Sequence, residues 1–172
     1  MKQGGSYLTY TLKEETYGIH VGKVINILEM TGITRVPKTP EYIKGVINLR
    51  GTVLPVIDTR IKFGMDAAED SKNTCILVLE PEIDGKRVMV GAVVDSVKAV
   101  VEITEDRILQ VPSIGKAYKT DFLSGMIESN DKFIMLVNID KVFNTSDMET
   151  INMIRKTGPS ETKKPEPAKV KV

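Results

Sequence analysis

The sequence predicts a mainly β protein. Two related modules of about five short strands each would share one apolar core, since half a chain of this length buries too little alone. Short helical turns and a single C-terminal helix complete the expected fold. Three observations carry this reading. Runs rich in β-branched and aromatic residues dominate, at 7–12, 17–21, 53–57, 75–79, 88–94 and 133–137. Tight-turn pairs separate several of them: Arg50-Gly51, Asp84-Gly85 and Asn130-Asp131. The chain also repeats itself. Gly18, Val21, Val24 and Glu29 recur 73 residues later as Gly91, Val94, Val97 and Glu102. Gly45, Ile47 and Phe63 recur 80 residues later as Gly125, Ile127 and Phe143, with Tyr42 over Phe122, and Val36-Pro37 returns as Val111-Pro112.

In chain order, 7–12 and 17–21 read as the first two strands. Thr39-Pro40 places a capping hydroxyl before a proline, which favours about one helical turn over 40–43. The runs 45–49 and 52–57 pair across Arg50-Gly51, and Pro55 inside the second marks an edge strand or a bulge, because proline cannot donate to a ladder. Asp58 and Asn138 can each cap a short turn, at 61–63 and 139–143. The longer helix begins near Ser146, where Ser146-Asp147-Met148-Glu149 has capping-box spacing. Its stripe of Met148, Ile151 and Ile154 is too short to sustain a lone helix, so it must dock. Residues 156–172, rich in lysine and proline, are expected to form a disordered tail.

Composition excludes several classes of function. The 24 basic and 23 acidic residues leave a net charge of +1, with no basic excess to attract nucleic acid or an anionic membrane. Tryptophan is absent and aromatics make up only 5%, which removes stacking platforms for single strands. No apolar stretch approaches a membrane span, and the first ten residues lack a signal-peptide core, so a cytoplasmic protein is expected. Cys75 cannot pair within the chain and reads as a small core residue. His20 has no second histidine to complete a metal set. The carboxylates are scattered, and phosphate loops and nucleophile elbows are missing, so neither an enzyme nor a cofactor is expected.

An interaction surface is the better reading. Val21, Val24, Ile25 and Leu28 hold more apolar surface than one short strand hides, and Val97, Val100 and Val101 repeat the excess. Part of each set belongs in the shared core; the rest would line a groove suited to an amphipathic helix. Arg50, a lone charge among apolar residues, must be paired or kept wet, since burying it alone costs several kcal/mol. At the rim it would set register. Gly45 and Gly91, inside strands, suit a bulge or a close backbone approach.

The stretch VP-x2-P-x2-I-x-GVINLRG-x-VLPVID-x-R, from Val36 to Arg60, resembles the signature of the CheW-like family, the coupling proteins of bacterial chemotaxis. Tyr17-Gly18-Ile19 with Val24 and Ile27, the segment 90–97, and 136–141 extend the likeness over residues 6–152. The resemblance implies a single domain of two five-stranded SH3-like barrels packed side by side, with approximate halves 14–68 and 73–144 and a helix from 146. It implies a non-catalytic adaptor that couples the cytoplasmic tip of chemoreceptors (methyl-accepting chemotaxis proteins) to the regulatory domain of the histidine kinase CheA, in membrane-associated arrays. The alternative is a CheW-like regulatory domain detached from a larger CheA- or CheV-type protein. On this likeness the receptor groove comprises Val24, Arg50, Val97 and Val100, with Gly45 and Gly91 as structural glycines nearby, and the kinase-binding residues stay unassigned. Thr59 departs from the leucine common in the family's Asp-Leu-Arg step.

Overall fold

The computed structural model describes residues 4–112 and 121–157. Twelve strands appear: β1 (Gly5–Leu12), β2 (Glu15–His20), β3 (Val24–Glu29), β4 (Ile43–Leu49), β5 (Thr52–Asp58), β6 (Cys75–Leu79), β7 (Glu82–Ile83), β8 (Lys86–Arg87), β9 (Val90–Val94), β10 (Ser96–Ile103), β11 (Leu123–Ser129) and β12 (Lys132–Val137). The helices are α1 (Thr59–Lys62) and α2 (Thr145–Thr157), with 3₁₀ turns at Val21–Lys23, Glu105–Arg107 and Ile139–Lys141. The tail expected at 156–172 lies outside the described residues from 158 onward.

Ten of the strands form two five-stranded sheets. The first has the order β10-β1-β2-β12-β11 and the second β3-β6-β9-β5-β4. With β6 as counterpart of β1, β9 of β2, β10 of β3, β11 of β4 and β12 of β5, the two orders are the same. The recurrence in the sequence therefore corresponds to a recurrence in topology. Each sheet nevertheless takes two strands from one repeat and three from the other, joined by the parallel pairs β12–β2 and β5–β9. Sheet membership thus cuts across the halves expected at 14–68 and 73–144. Short local loops fix hairpins such as β4–β5, whereas parallel pairs are long-range and leave no mark in a local pattern. Among the described residues no ladder joins the two outer strands of either sheet, and beyond their hairpins β4 and β11 carry only single bridges, Val46 with Thr34 and Met126 with Leu109, so five strands per sheet stand as expected but hydrogen-bonded barrel closure does not.

Turn chemistry follows the residues. Arg50 and Gly51 have φ of 54° and 86°, and Asn130 and Asp131 have 53° and 64°. Two consecutive positive φ values match the right-handed twist of a two-residue hairpin. Residues 40–43 form a single turn closed by Ile43 N–H donating to the Pro40 carbonyl, 3.0 Å, without becoming a helix. Pro55 lies in an interior strand, not an edge. It is tolerated because β9 pairs only with Val56–Asp58, so no neighbour awaits the N–H that proline lacks. The adjoining strand β4 carries a register shift between Ile43 and Gly45.

Three apolar clusters result. Ile76, Val78 and Val56 fill the second sheet's own core, and Tyr7, Ile127 and Leu136 that of the first. A larger shared cluster takes the alternate residues, Leu8 and Tyr10 from β1 and Leu77 and Leu79 from β6. Interior strands buried on both faces read as nearly continuous apolar runs, which is what 75–79 and 90–94 show.

Helix α2 closes the shared cluster with Met148, Ile151 and Ile154, all buried. Its cap is Asn144, not Ser146: Asp147 N–H donates to Asn144 Oδ1 (2.8 Å) and Asn144 N–H to Asp147 Oδ2 (2.9 Å). Asp147 also accepts from the Tyr42 hydroxyl and from Lys62 Nζ, both at 2.7 Å. Burial alone would raise the Asp147 carboxyl, but these donors outweigh it and hold it below its usual value of 3.8. Burial and the same carboxylate push the Tyr42 hydroxyl up.

Candidate interaction site

Residues directly opposite in an antiparallel pair share a face of the sheet. On β10, Val97 faces Tyr10 and Val100 faces Leu8. Tyr10 and Leu8 both belong to the shared cluster, so both valines lie on that side. Three residues apart, they would normally point in opposite directions. A bulge restores them to one face: Thr9 pairs with Ala99 and Tyr10 with Val97, leaving Lys98 as the extra residue. Thr9 pins the bulge, its Oγ1 donating to the Ala99 carbonyl and lying 3.1 Å from the Ala99 N–H.

Strand β3 repeats the device. Val24 faces Leu79 and Ile27 faces Leu77, with a register shift between Val24 and Asn26. Leu77 and Leu79 belong to the shared cluster, which places Val24 and Ile27 on its side. Val24 and Val97 are half-buried against that cluster, whereas Ile27 is 44% and Val100 59% exposed. Both strands are outermost in their sheets. Two edge strands thus present matched apolar pairs, each with one residue in the core and one at its open margin. Ile27 was absent from the expected groove residues. The signal was available, since the 73-residue offset carries Val100 onto Ile27.

Arg50 stands apart. It caps the β4–β5 hairpin and is exposed, at the same end of its sheet as the start of β3 but with β6, β9 and β5 between them in order. Among the described residues its side chain makes no ion pair, so it clamps no loop. The charge is kept wet, as its cost of burial requires.

The two glycines are structural. A Cβ at Gly45 would come within 2.2 Å of the Thr34 carbonyl oxygen, because the Thr34–Val46 bridge crosses the bulge, and its φ is 150°. A Cβ at Gly91 would meet Ile76 at 2.9 Å inside the second sheet's core. Neither glycine lies on the apolar face. His20 is also accounted for locally: its Nδ1 accepts from Gly22 N–H at 3.1 Å, and its ring meets Tyr7 edge-on at 5.3 Å. Among the described residues no group of three or more His, Cys, Asp or Glu could hold a metal, and no helix is long and apolar enough to cross a membrane. Burial pushes the Cys75 thiol up, away from the reactive thiolate.

The geometry is that of a two-sheet domain, and the comparison with known proteins agrees with that fold. The CheW-like domain model matches residues 6–147. This chain belongs to the CheW-like family. It is 36% identical over 154 residues to the chemotaxis protein CheW of Klebsiella aerogenes, covering 90% of each chain. It is 30% identical to the chemotaxis protein CheW of Rhizobium meliloti, covering 85% of this chain and 92% of that one. Among solved structures it resembles the scaffolding protein TtCheW from Thermoanaerobacter tengcongensis, with a TM-score of 0.71 and 32% identity over 84% of this chain and 96% of the other.

Proposed function

We propose that this protein is a non-catalytic chemotaxis adaptor that couples chemoreceptors to the histidine kinase CheA in a cytoplasmic, membrane-associated array. Its two sheets would then correspond to the two SH3-like barrels of the family. The observation that carries the proposal is the matched apolar seam of Val24, Ile27, Val97 and Val100 on two outer strands. Such a seam suits the apolar face of a helix from a receptor tip, and Arg50, exposed at the same end of the second sheet with three strands between, would supply a separate charge-assisted contact. Support for the partners comes from the relatives, which are named as chemotaxis proteins and as a scaffolding protein.

The test measures binding of a receptor cytoplasmic fragment and of the CheA regulatory domain by calorimetry, alongside melting temperature. Val100→Asp leaves an exposed position folded but puts a carboxylate in the seam, so receptor binding should fall while kinase binding holds. Arg50→Ala should lose ~1.5–3 kcal/mol of receptor binding, where ~2 kcal/mol is about thirtyfold. Folded variants at both positions that bind receptor like the parent would overturn the proposal.

A further inference from the structure

A fully buried guanidinium lies outside the seam and serves none of its contacts. Arg60, in α1, is 0% exposed, with Nε 3.1 Å from Asp95 Oδ1 and NH2 3.6 Å from Asp70 Oδ1. None of its side-chain nitrogens makes an aligned hydrogen bond, so charge alone holds it. Asp95 is the residue before β10. Its Oδ2 accepts from Lys13 N–H at 2.5 Å, and its own N–H donates to the Thr11 carbonyl. Arg60 follows β5 in the second sheet, while Lys13 and β10 belong to the first. One carboxylate therefore ties the end of one sheet to the start of the other sheet's outer strand.

The 80-residue offset carries Arg60 onto Asp140, and there the arrangement returns with its charges reversed. Asp140 Oδ2 lies 3.1 Å from Lys23 Nζ, and Asp140 Oδ1 accepts from Glu82 N–H at 2.8 Å. Lys23 is the residue before β3. Lys13 and Glu82 occupy the equivalent connections β1–β2 and β6–β9. Each ion pair thus anchors the start of one seam strand to the end of the opposite sheet.

We propose that Arg60 with Asp95, and Asp140 with Lys23, are positioning residues that set the placement of β10 and β3 against the opposite sheet, and so of the apolar residues these two strands present. The consequence for receptor binding rests on the adaptor reading; the positioning itself does not. Val97 lies two residues beyond Asp95, and Val24 directly follows Lys23. A shift at either anchor passes straight into a seam residue, because a strand transmits displacement along its length. The two anchors are unequal. Arg60 is fully buried against an Asp95 that is 25% exposed, whereas both members of the Lys23 pair are 32% exposed, so the first should dominate.

The full chain in a Cys75→Ser background, spin-labelled at Ile27→Cys and Val100→Cys, reports the strand separation by pulsed dipolar spectroscopy. Asp95→Asn keeps an acceptor for Lys13 N–H and removes only the charge facing Arg60. It should broaden or shift the distance distribution, and in the unlabelled protein weaken binding of the receptor fragment about tenfold, with kinase binding unchanged. Lys23→Ala should produce a smaller change of the same kind, and Lys23→Arg should restore the parent distribution. Distances identical to the parent in folded Asp95→Asn and Lys23→Ala overturn the positioning role. Should Asp95→Asn not fold, Lys23→Ala against Lys23→Arg decides alone: broadening with rescue supports the role, and an unchanged distribution overturns it. An unmodified chain that ignores the receptor fragment overturns the adaptor reading instead, and the distances still settle positioning.

Discussion

The β4–β5 and β11–β12 hairpins occupy equivalent places in the two sheets, yet their tips differ in chemistry. Arg50-Gly51 and Asn130-Asp131 turn with nearly the same first φ, 54° and 53°. Asparagine enters that left-handed region cheaply, because its short side chain hydrogen-bonds locally, whereas a long side chain gains nothing there. The second hairpin therefore uses the residue its backbone favours. The first carries an exposed arginine at a position where asparagine would cost less. The anchors differ in the same way: the cation is fully buried in Arg60–Asp95 and one-third exposed in Asp140–Lys23, on one shared plan. Duplication preserved backbone and topology, and what sets one sheet apart from the other is side-chain chemistry.

The anchors give the largest expected contrast. Asp95→Ala leaves a buried guanidinium without its nearest carboxylate and should cost ~3–5 kcal/mol, whereas Lys23→Ala should cost about 0–1 kcal/mol. Denaturant melts of the two variants measure the difference. Equal losses would mean that the pair with the buried guanidinium is no stronger a tie than the exposed one.

The bulge glycines come next. Gly45→Ala drives a Cβ into a backbone carbonyl at a φ that alanine avoids, and should cost about 3 kcal/mol. At Gly125 the nearest atom is a side-chain methyl, Cγ2 of Ile108 at 2.4 Å, and no left-handed φ adds strain to the contact. Gly125→Ala should therefore cost less, about 1–2 kcal/mol. The same melts rank the two.

Arg50→Asn sharpens the hairpin comparison itself. It installs the second hairpin's residue in the first, so melting temperature should hold or rise slightly. Receptor binding should fall about thirtyfold, equivalent to ~2 kcal/mol. A variant that loses stability instead would show that the arginine supports its own turn.

The smallest effect concerns Asp147, whose carboxyl is held below 3.8 in the fold. A depressed carboxylate pKa stabilises the protein above the unfolded value and loses that contribution as pH falls through the folded value. Asp147→Asn should therefore lower the melting temperature at pH 7 by about 2–4 °C, near 1 kcal/mol in a domain of this size. The gap should close below about pH 3.8. A gap that persists into acid would assign the loss to packing of α2.

By itself the sequence determined the features that depend on neighbours along the chain. Strand-forming runs, the positive-φ tips and the caps at Asp58 and Asn138 are local and were legible, and the repeat was legible by setting the chain against itself. So was the membership of Val24 and Val97 in an apolar set, because excess apolar surface shows in composition. Tertiary structure decided everything that depends on a distant partner. Exchange of strands between the repeats rests on the parallel pairs β5–β9 and β12–β2, which no local pattern encodes. Pro55 reads as an edge residue until β9 is seen to begin pairing one residue later. Ser146-x-x-Glu149 and Asn144-x-x-Asp147 are both plausible caps, and Tyr42 and Lys62, far away in sequence, settle the second by engaging Asp147. Arg60 is one more charge in a motif until burial makes it an anchor, and only the bulges at Lys98 and Ile25 turn Val97 with Val100, and Val24 with Ile27, onto one face. The physical reason is common to all of these: burial and pairing are properties of the assembled chain, and a residue acquires them only when segments remote in sequence meet.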